Sequence, residues 1–291
     1  MSPANLALIL ASAVVHVVSH VALKRARDRT AFGWWLLLWG SLLFSPVVFL
    51  RPQAVSLLAW GIMVVSALVE VLYFFAITRA YRLGDLSLVY PLARGTAPLF
   101  LLLWTTLWPL RVADHVTPGG AGGIAVIALG LYIINLPRLG GWSQPLRSLA
   151  RGAPRWALLA GLSISVYTLI DRTGIQLVDP LVYTDLVLWL TFLVYTPLAL
   201  RLAGWHGLRE EIRSSGLSSV VAGFTSLAAY AMVLYAIRAG TPASYAGSVR
   251  EVSVVFAGIV GIVFLKERGS AVRIVGALCV FVGISLIALL A

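Results

Sequence analysis

Apolar runs of about 15 to 24 residues fill this chain, separated by short polar intervals that hold nearly all of its Asp, Glu, Lys and Arg. About 20 apolar residues cross a bilayer as a helix. The pattern predicts an all-α membrane protein of ten transmembrane helices, with ends uncertain by a few residues. The spans begin near Ala4, Phe32, Val55, Leu86, Gly119, Trp156, Pro180, Gly216, Pro242 and Ser270. Trp34 and Trp35 open span 2, where amphipathic rings suit the head-group level. Span 6 starts at Trp156, and only fifteen residues, 156–170, precede Asp171-Arg172, which is short for a crossing. That pair therefore reads as interfacial, or else it lies within the membrane region. Between spans 7 and 8, residues 201–215 read as a short amphipathic helix on the membrane surface. A transmembrane β-barrel would need runs of about ten alternating residues, and the chain has none.

The pattern also repeats. Ala80, Arg82, Gly84 and Arg94 recur as Ala236, Arg238, Gly240 and Arg250, at a constant offset of 156 residues. Trp39 and Trp189 each precede a basic residue by twelve positions, and each interval encloses a Ser/Thr-Pro dipeptide, Ser45-Pro46 and Thr196-Pro197. The longest polar interval is rich in Pro, Gly, Ser and Arg and lies at the midpoint. Residues 1–136 read as one five-helix repeat, 137–155 as a linker, and 156–291 as a second five-helix repeat. An odd number of spans per repeat requires the second to be inverted relative to the first, as in many secondary transporters.

Composition narrows the class further. Of 291 residues, 60% are apolar and 11% charged, against about a quarter charged in soluble domains. The net charge of +11 is spread over many loops without the basic stripe that nucleic-acid binding requires. It fits topology and anionic membrane lipids instead. Connections after the odd-numbered spans hold sixteen Lys and Arg; those after the even-numbered spans hold four. That bias predicts a bacterial-type inner membrane protein with both termini outside. The N-terminus lacks a basic leader and a cleavage signal, so the first apolar run reads as a mature span. One cysteine, Cys279, permits no intrachain disulfide. The chain carries no Walker loop, no His-Glu-x-x-His and no nucleophile elbow, so no enzymatic role and no cofactor are expected.

The candidate chemistry lies where charge enters apolar runs. An arginine at mid-membrane costs about 2.5–3.5 kcal/mol on insertion scales and needs a partner or a wet cavity. Arg94 sits in span 4 with Tyr90 one turn before it. Pro91 and Pro98 flank it as candidate kinks. Arg250 and Glu251 are adjacent in span 9, near Tyr245 and Ser248, with Gly247 as a thin, bendable point. Two arginines can clamp carboxylate or phosphonate oxygens. Equally, Arg94 with Glu251 or Arg250 with Glu70 can form a structural salt bridge. Glu70 in span 3 has Ser66, Tyr73 and Phe74 on its face, and a desolvated carboxyl can carry a proton. It is the proton-coupling candidate, or else an arginine's counter-ion. His16 and His20, four apart in span 1, have metal-ligand spacing without an acidic or cysteine co-ligand, so cavity lining is expected and no metal. Asp185, Tyr183, Tyr167, Tyr230 and Tyr235 are further cavity candidates.

With these residues on the page, the chain resembles the drug/metabolite transporter superfamily of EamA type. The resemblance rests on the span count, the two halves, the short basic connections, the Ala-rich, glycine-turn junction into the proline-bearing fourth span, and Leu265-Lys266-Glu267 closing span 9. At the end of span 4, Leu110-Arg111 departs from that closing pattern. There is also a faint similarity to permeases associated with phosphonate use. The resemblance implies an exporter or exchanger of small metabolites with a central cavity lined by spans 3, 4, 8 and 9. The expectation is a secondary transporter of a small anionic or zwitterionic metabolite, acting as a monomer or homodimer. The alternatives are a membrane-embedded flippase or enzyme acting on a lipid-linked phosphate, and a passive channel.

Overall fold

The computed structural model describes residues 1–83, 86–106, 116–134, 136, 152–256 and 271–290. Most of the midpoint linker, Leu110-Arg111 and Leu265-Lys266-Glu267 lie outside them. The described residues form nine helices and no strand: α1 (Pro3–Arg25), α2 (Arg29–Leu50), α3 (Leu57–Leu83), α4 (Leu86–Thr106), α5 (Pro118–Ile134), α6 (Ala153–Leu177), α7 (Pro180–Arg238), α8 (Ala243–Arg250) and α9 (Ala271–Leu290). Five of them, α1, α2, α3, α6 and α7, are long and apolar enough to cross a membrane.

The helix ends follow local chemistry. Pro3, with its fixed φ and missing donor, opens α1, and Ser2 accepts from Asn5 N–H at 3.2 Å. Asp28 caps α2, taking the N–H groups of Thr30 and Ala31. Asp179 caps α7 at Leu181 N–H, with Pro180 in the first turn. Arg238 supplies two carbonyls at the end of α6, donating to Ile175 O at 3.0 Å and Val178 O at 2.8 Å.

Two expected spans and the surface segment between them run on as one 59-residue element, α7. It departs from helical geometry at Gly204 (φ 68°) and Ser215 (φ −133°). A positive φ is tolerated by glycine, which has no Cβ to clash. The stretch between the breaks is pinned: Leu208 O accepts from Trp35 Nε1 at 2.8 Å, and Glu211 Oε2 from Asp28 N–H at 2.8 Å. Trp34, expected at head-group level, is instead buried, and its indole N–H donates to Thr196 Oγ1 at 2.9 Å. Its ring packs on Phe192 because α2 faces the first arm of α7 rather than lipid there.

Close approaches are built from glycine. Gly40 and Gly223 let α2 and the second long arm of α7 touch backbone to backbone. Gly123 faces Gly283, and Gly130 faces Gly276, across α5 and α9. A Cβ on Gly130 would stand 2.6 Å from the Gly276 carbonyl oxygen. Small residues allow such contact where lipid offers no hydrophobic drive to associate. Further contacts run α1 on α7, α3 on α6 and α7, α4 on α5 and α6, and α8 on α4 and α1. This arrangement surrounds the middle of α4 and the end of α8.

α4 runs through Pro91 and Pro98 as one helix. The change of ladder lies in span 9 instead. After α8, the N–H groups of Glu251, Val252, Val254 and Val255 each bond a carbonyl three residues back, to Ser248, Val249, Glu251 and Val252. A tightening of this kind within a span marks a candidate hinge. It falls on the Arg250-Glu251 pair rather than at Gly247.

Candidate functional site

Arg94 is 5% exposed and Glu251 3%. The Arg94 guanidinium donates from Nη1 to Glu251 Oε1 at 3.0 Å. Of the two ion pairs left open by the sequence, the structure forms this one. From Nη2, Arg94 reaches His16 Nε2 at 3.2 Å, and Arg250 Nη2 reaches the same nitrogen at 3.3 Å. Guanidinium groups only donate, so Nε2 is the acceptor and the ring proton is assigned to Nδ1, beside Ser19 Oγ at 3.4 Å. Each arginine comes from a different half of the chain, and the histidine holds both to one point.

Arg250 differs from Arg94. Its guanidinium lies over the Tyr230 ring, 5.7 Å from the centroid. Among the described residues it makes no salt bridge, and its Nε and Glu251 Oε2 are buried without a hydrogen-bond partner. From Tyr230 a chain of edge-on rings runs through Tyr167 and Tyr73 to Phe74. Tyr73 thus belongs to the wall of the arginine site.

Two buried acids stand beside this wall. Glu70 Oε2 accepts from Thr191 Oγ1 at 2.7 Å, with Asp171 and Arg250 as charged neighbours. Asp171 is fully buried, which corrects its reading as half of an interfacial pair. Its Oδ1 accepts from Ser66 Oγ and from Tyr183 OH at 2.7 Å, and its Oδ2 from Tyr230 OH. The sequence reading missed this centre because its donors come from α3 and both long arms of α7, far apart in the chain. The available signal was the tyrosines, each with a hydroxyl inside an apolar run.

Other expected site residues point elsewhere. Tyr245 OH accepts Thr117 N–H at 2.8 Å and packs on Gly120, so it secures the start of α5. It precedes Arg250 by five residues, which on a helix is about 140° away. Ser248 Oγ is spent on Ser244 O at 2.6 Å. Pro98 and Gly247 are packed in their helices, Gly247 against Leu101. The side chains of His20, Tyr90 and Pro91 lie outside the described residues. Among the described residues no group of three His, Cys, Asp or Glu is placed to hold a metal.

A second polar seam joins α2 to the first arm of α7. Trp189 Nε1 donates to Ser45 Oγ at 2.9 Å, just as Trp34 donates to Thr196. Both hydroxyls stand immediately before a proline. Both donate back to the carbonyl four residues earlier, Ser45 to Ser41 O at 2.8 Å and Thr196 to Phe192 O at 2.7 Å. Asp185 lies against Ser45.

No curated protein matches the sequence. One solved crystal structure superposes with a TM-score of 0.73 at 15% identity, covering 100% of this chain and 98% of that one, so the fold is shared over the full length. The model of the EamA-like transporter family matches residues 153–289, a stretch holding Tyr167, Asp171, Tyr230, Arg250 and Glu251. The protein is an integral membrane protein, and the match of its residues 153–289 to the EamA-like transporter family supports membership of the drug/metabolite transporter superfamily.

Proposed function

We propose that this protein is a secondary active transporter of a small anionic or zwitterionic metabolite, with Arg94 and Arg250 as the substrate clamp. The observation that carries the reading is the convergence of both guanidiniums on His16 Nε2 at 3.2 and 3.3 Å. Two cations held this close out of water repel each other, and an anion between them relieves the repulsion. Glu251 serves Arg94 as an internal stand-in for that anion, and the substrate's acid group displaces it. Arg250, over the Tyr230 face, offers the second set of donors.

Alternating access follows from the two halves moving about this site. The contact pattern supports inverted repeats over ten spans, 1–136 and 156–291. Exchanging the halves turns the packing of α1 on α7 into that of α6 on α3, and the packing of α4 on α6 into that of α8 on α1. In α5 and α9 the exchange is a shift of 153 residues, three fewer than at the arginines, and it carries Gly123 to 276 and Gly130 to 283. In this reading the 3₁₀ turn at Arg250-Glu251 is the bending point, and Glu70, bonded to Thr191 beside Asp171, is the proton-coupling candidate. The charge bias of the connections supports an inner-membrane location with both termini outside.

A thermal-stability screen of the purified protein against amino acids, organophosphates and organophosphonates tests the clamp. Binding to the folded state raises the melting temperature. At least one acid is expected to do so in wild-type protein and to have no effect on Arg250→Ala. Equal shifts in both proteins overturn the clamp.

A further inference from the structure

The outer edge where α3 meets α6 carries two arginines that the arginine site does not use. Arg79 lies near the end of α3 and Arg155 in the first turn of α6. The two helices pack antiparallel, so both arginines stand at one end of the seam between the halves of the chain. Both are exposed. Arg79 stands over the Phe75 ring, 5.8 Å from its centroid, and Arg155 over the Trp156 ring at 5.5 Å. Phe75 and Trp156 meet edge to face at 5.7 Å. One guanidinium from each helix therefore flanks a single two-ring plate. Among the described residues neither arginine makes a salt bridge.

Attraction to a ring face restrains a guanidinium without neutralising it, and most of its five N–H donors stay available. The opposite end of α6 is handled differently. There Arg51 is paired with Asp179 at 3.2 Å, and Arg238 is spent on the Ile175 and Val178 carbonyls. Beneath the plate the surface of α3 is apolar and uncovered. Leu68, Leu72, Phe75 and Arg79 follow one another at spacings of four, three and four, which is one face of a helix. Leu68 is 51% exposed and Leu72 42%. The rise from Leu68 to Arg79 is about 16 Å, close to half of the roughly 30 Å hydrocarbon core. The stripe is thus one leaflet deep: leucines for an acyl chain, rings at the interface, and cations at the level of the phosphate.

We propose that this edge is a binding site for one anionic phospholipid, whose phosphate is held by Arg79 and Arg155 and whose acyl chain lies along Leu72 and Leu68. A phosphate matches the fork of donors on a guanidinium. Two cations without an ion-paired acid among the described residues favour a lipid of net negative charge. A zwitterionic head group brings its own cation, which they repel. Arg79 comes from the first half of the chain and Arg155 from the second. The bound lipid therefore ties α3 to α6 across the seam and stabilises the conformation in which they lie side by side. The site needs only that the chain spans a membrane; it does not depend on the clamp or on which metabolite is carried.

Native mass spectrometry and thermal melting of the full-length protein in detergent test the site, with dioleoylphosphatidylglycerol as probe and dioleoylphosphatidylcholine as reference. The wild type is expected to retain one phosphatidylglycerol in preference to phosphatidylcholine, and to melt at a higher temperature with it bound. The double variant Arg79→Gln, Arg155→Gln should weaken that binding at least about tenfold, the loss of one or more charged hydrogen bonds. The double variant Arg25→Gln, Arg27→Gln removes the same charge from the end of α1 and the turn after it, where both side chains are exposed, and should leave the binding unchanged. If the first double variant fails to fold, Arg79→Gln and Arg155→Gln singly give the same comparison. Equal weakening by both charge removals reduces the effect to net charge and overturns the site, as does equal retention of the two lipids by the wild type. A melting shift from inorganic phosphate as large as that from phosphatidylglycerol overturns the lipid as occupant, since the leucine track then contributes nothing.

Discussion

Arg94 holds Glu251 at 3.0 Å from the neighbouring helix, while Arg250, next to Glu251 in the chain, turns to His16 and the Tyr230 ring. The repeat position of Glu251 in the first half is Gly95. The two arginines therefore match by position and differ in charge balance. This asymmetry makes the roles of the four residues separable by experiment.

Removing one member of a buried ion pair leaves the other uncompensated and typically costs about 3–5 kcal/mol. Arg94→Ala and Glu251→Ala should each lower the melting temperature in detergent. The double variant should recover part of the loss, because neither charge is then left alone. Strictly additive losses would show that the pair contributes nothing through its contact.

Arg250 makes no salt bridge among the described residues, and the two carboxylates that feel its charge, Glu70 and Glu251, each keep a hydrogen-bond donor without it. Arg250→Ala should therefore melt close to wild type and yet fail to accumulate the acid identified by the stability screen in proteoliposomes. Arg250→Lys should restore binding only in part, since an ammonium lacks the flat fork of donors. Full transport by Arg250→Ala contradicts the clamp.

Asp171 binds hydroxyls from three separate helical segments. Asp171→Asn replaces an oxygen acceptor by a donor that faces hydroxyl protons, so an unsatisfied group results, at about 1–3 kcal/mol. A clear fall in melting temperature is expected, larger than for Tyr183→Phe, which removes one donor of three. A variant as stable as wild type would remove Asp171 as an organising centre.

The α5–α9 contact gives a steric test with an internal control. Gly130→Ala puts a methyl 2.6 Å from the Gly276 carbonyl oxygen, and Gly122→Ala meets nothing within 4 Å. The first should lower stability or yield. The second should be neutral or raise stability by up to about 1 kcal/mol, since alanine is the better helix former. Equal behaviour of the two would mean that α5 and α9 do not touch as described.

The helices and the arginine pair were legible in the sequence because they are linear signals: apolar run length, and a charge recurring at one offset. His16 was visible as a polar face on span 1, although its place between two guanidiniums was not. Asp171 was misread because distance from Trp156 was counted as membrane depth. α6 starts earlier, at Ala153, and the donors that make Asp171 a centre are supplied by tertiary contacts. Tyr245 was drawn into the site by nearness in the chain, whereas helical rotation turns it towards α5. Asp185 was visible as an acid in an apolar run, but its burial beside the seam between α2 and α7 exists only once those helices meet.

The breaks in α7 have a mechanical consequence. Its two long arms are joined by a ten-residue strut, fastened through Leu208 to Trp35 of α2 and through Glu211 to Asp28 in the turn between α1 and α2. A slack loop would let either arm move independently. This strut works as a crank pivoted at Gly204 and Ser215, so a tilt in one arm is passed to the other and to the base of α2.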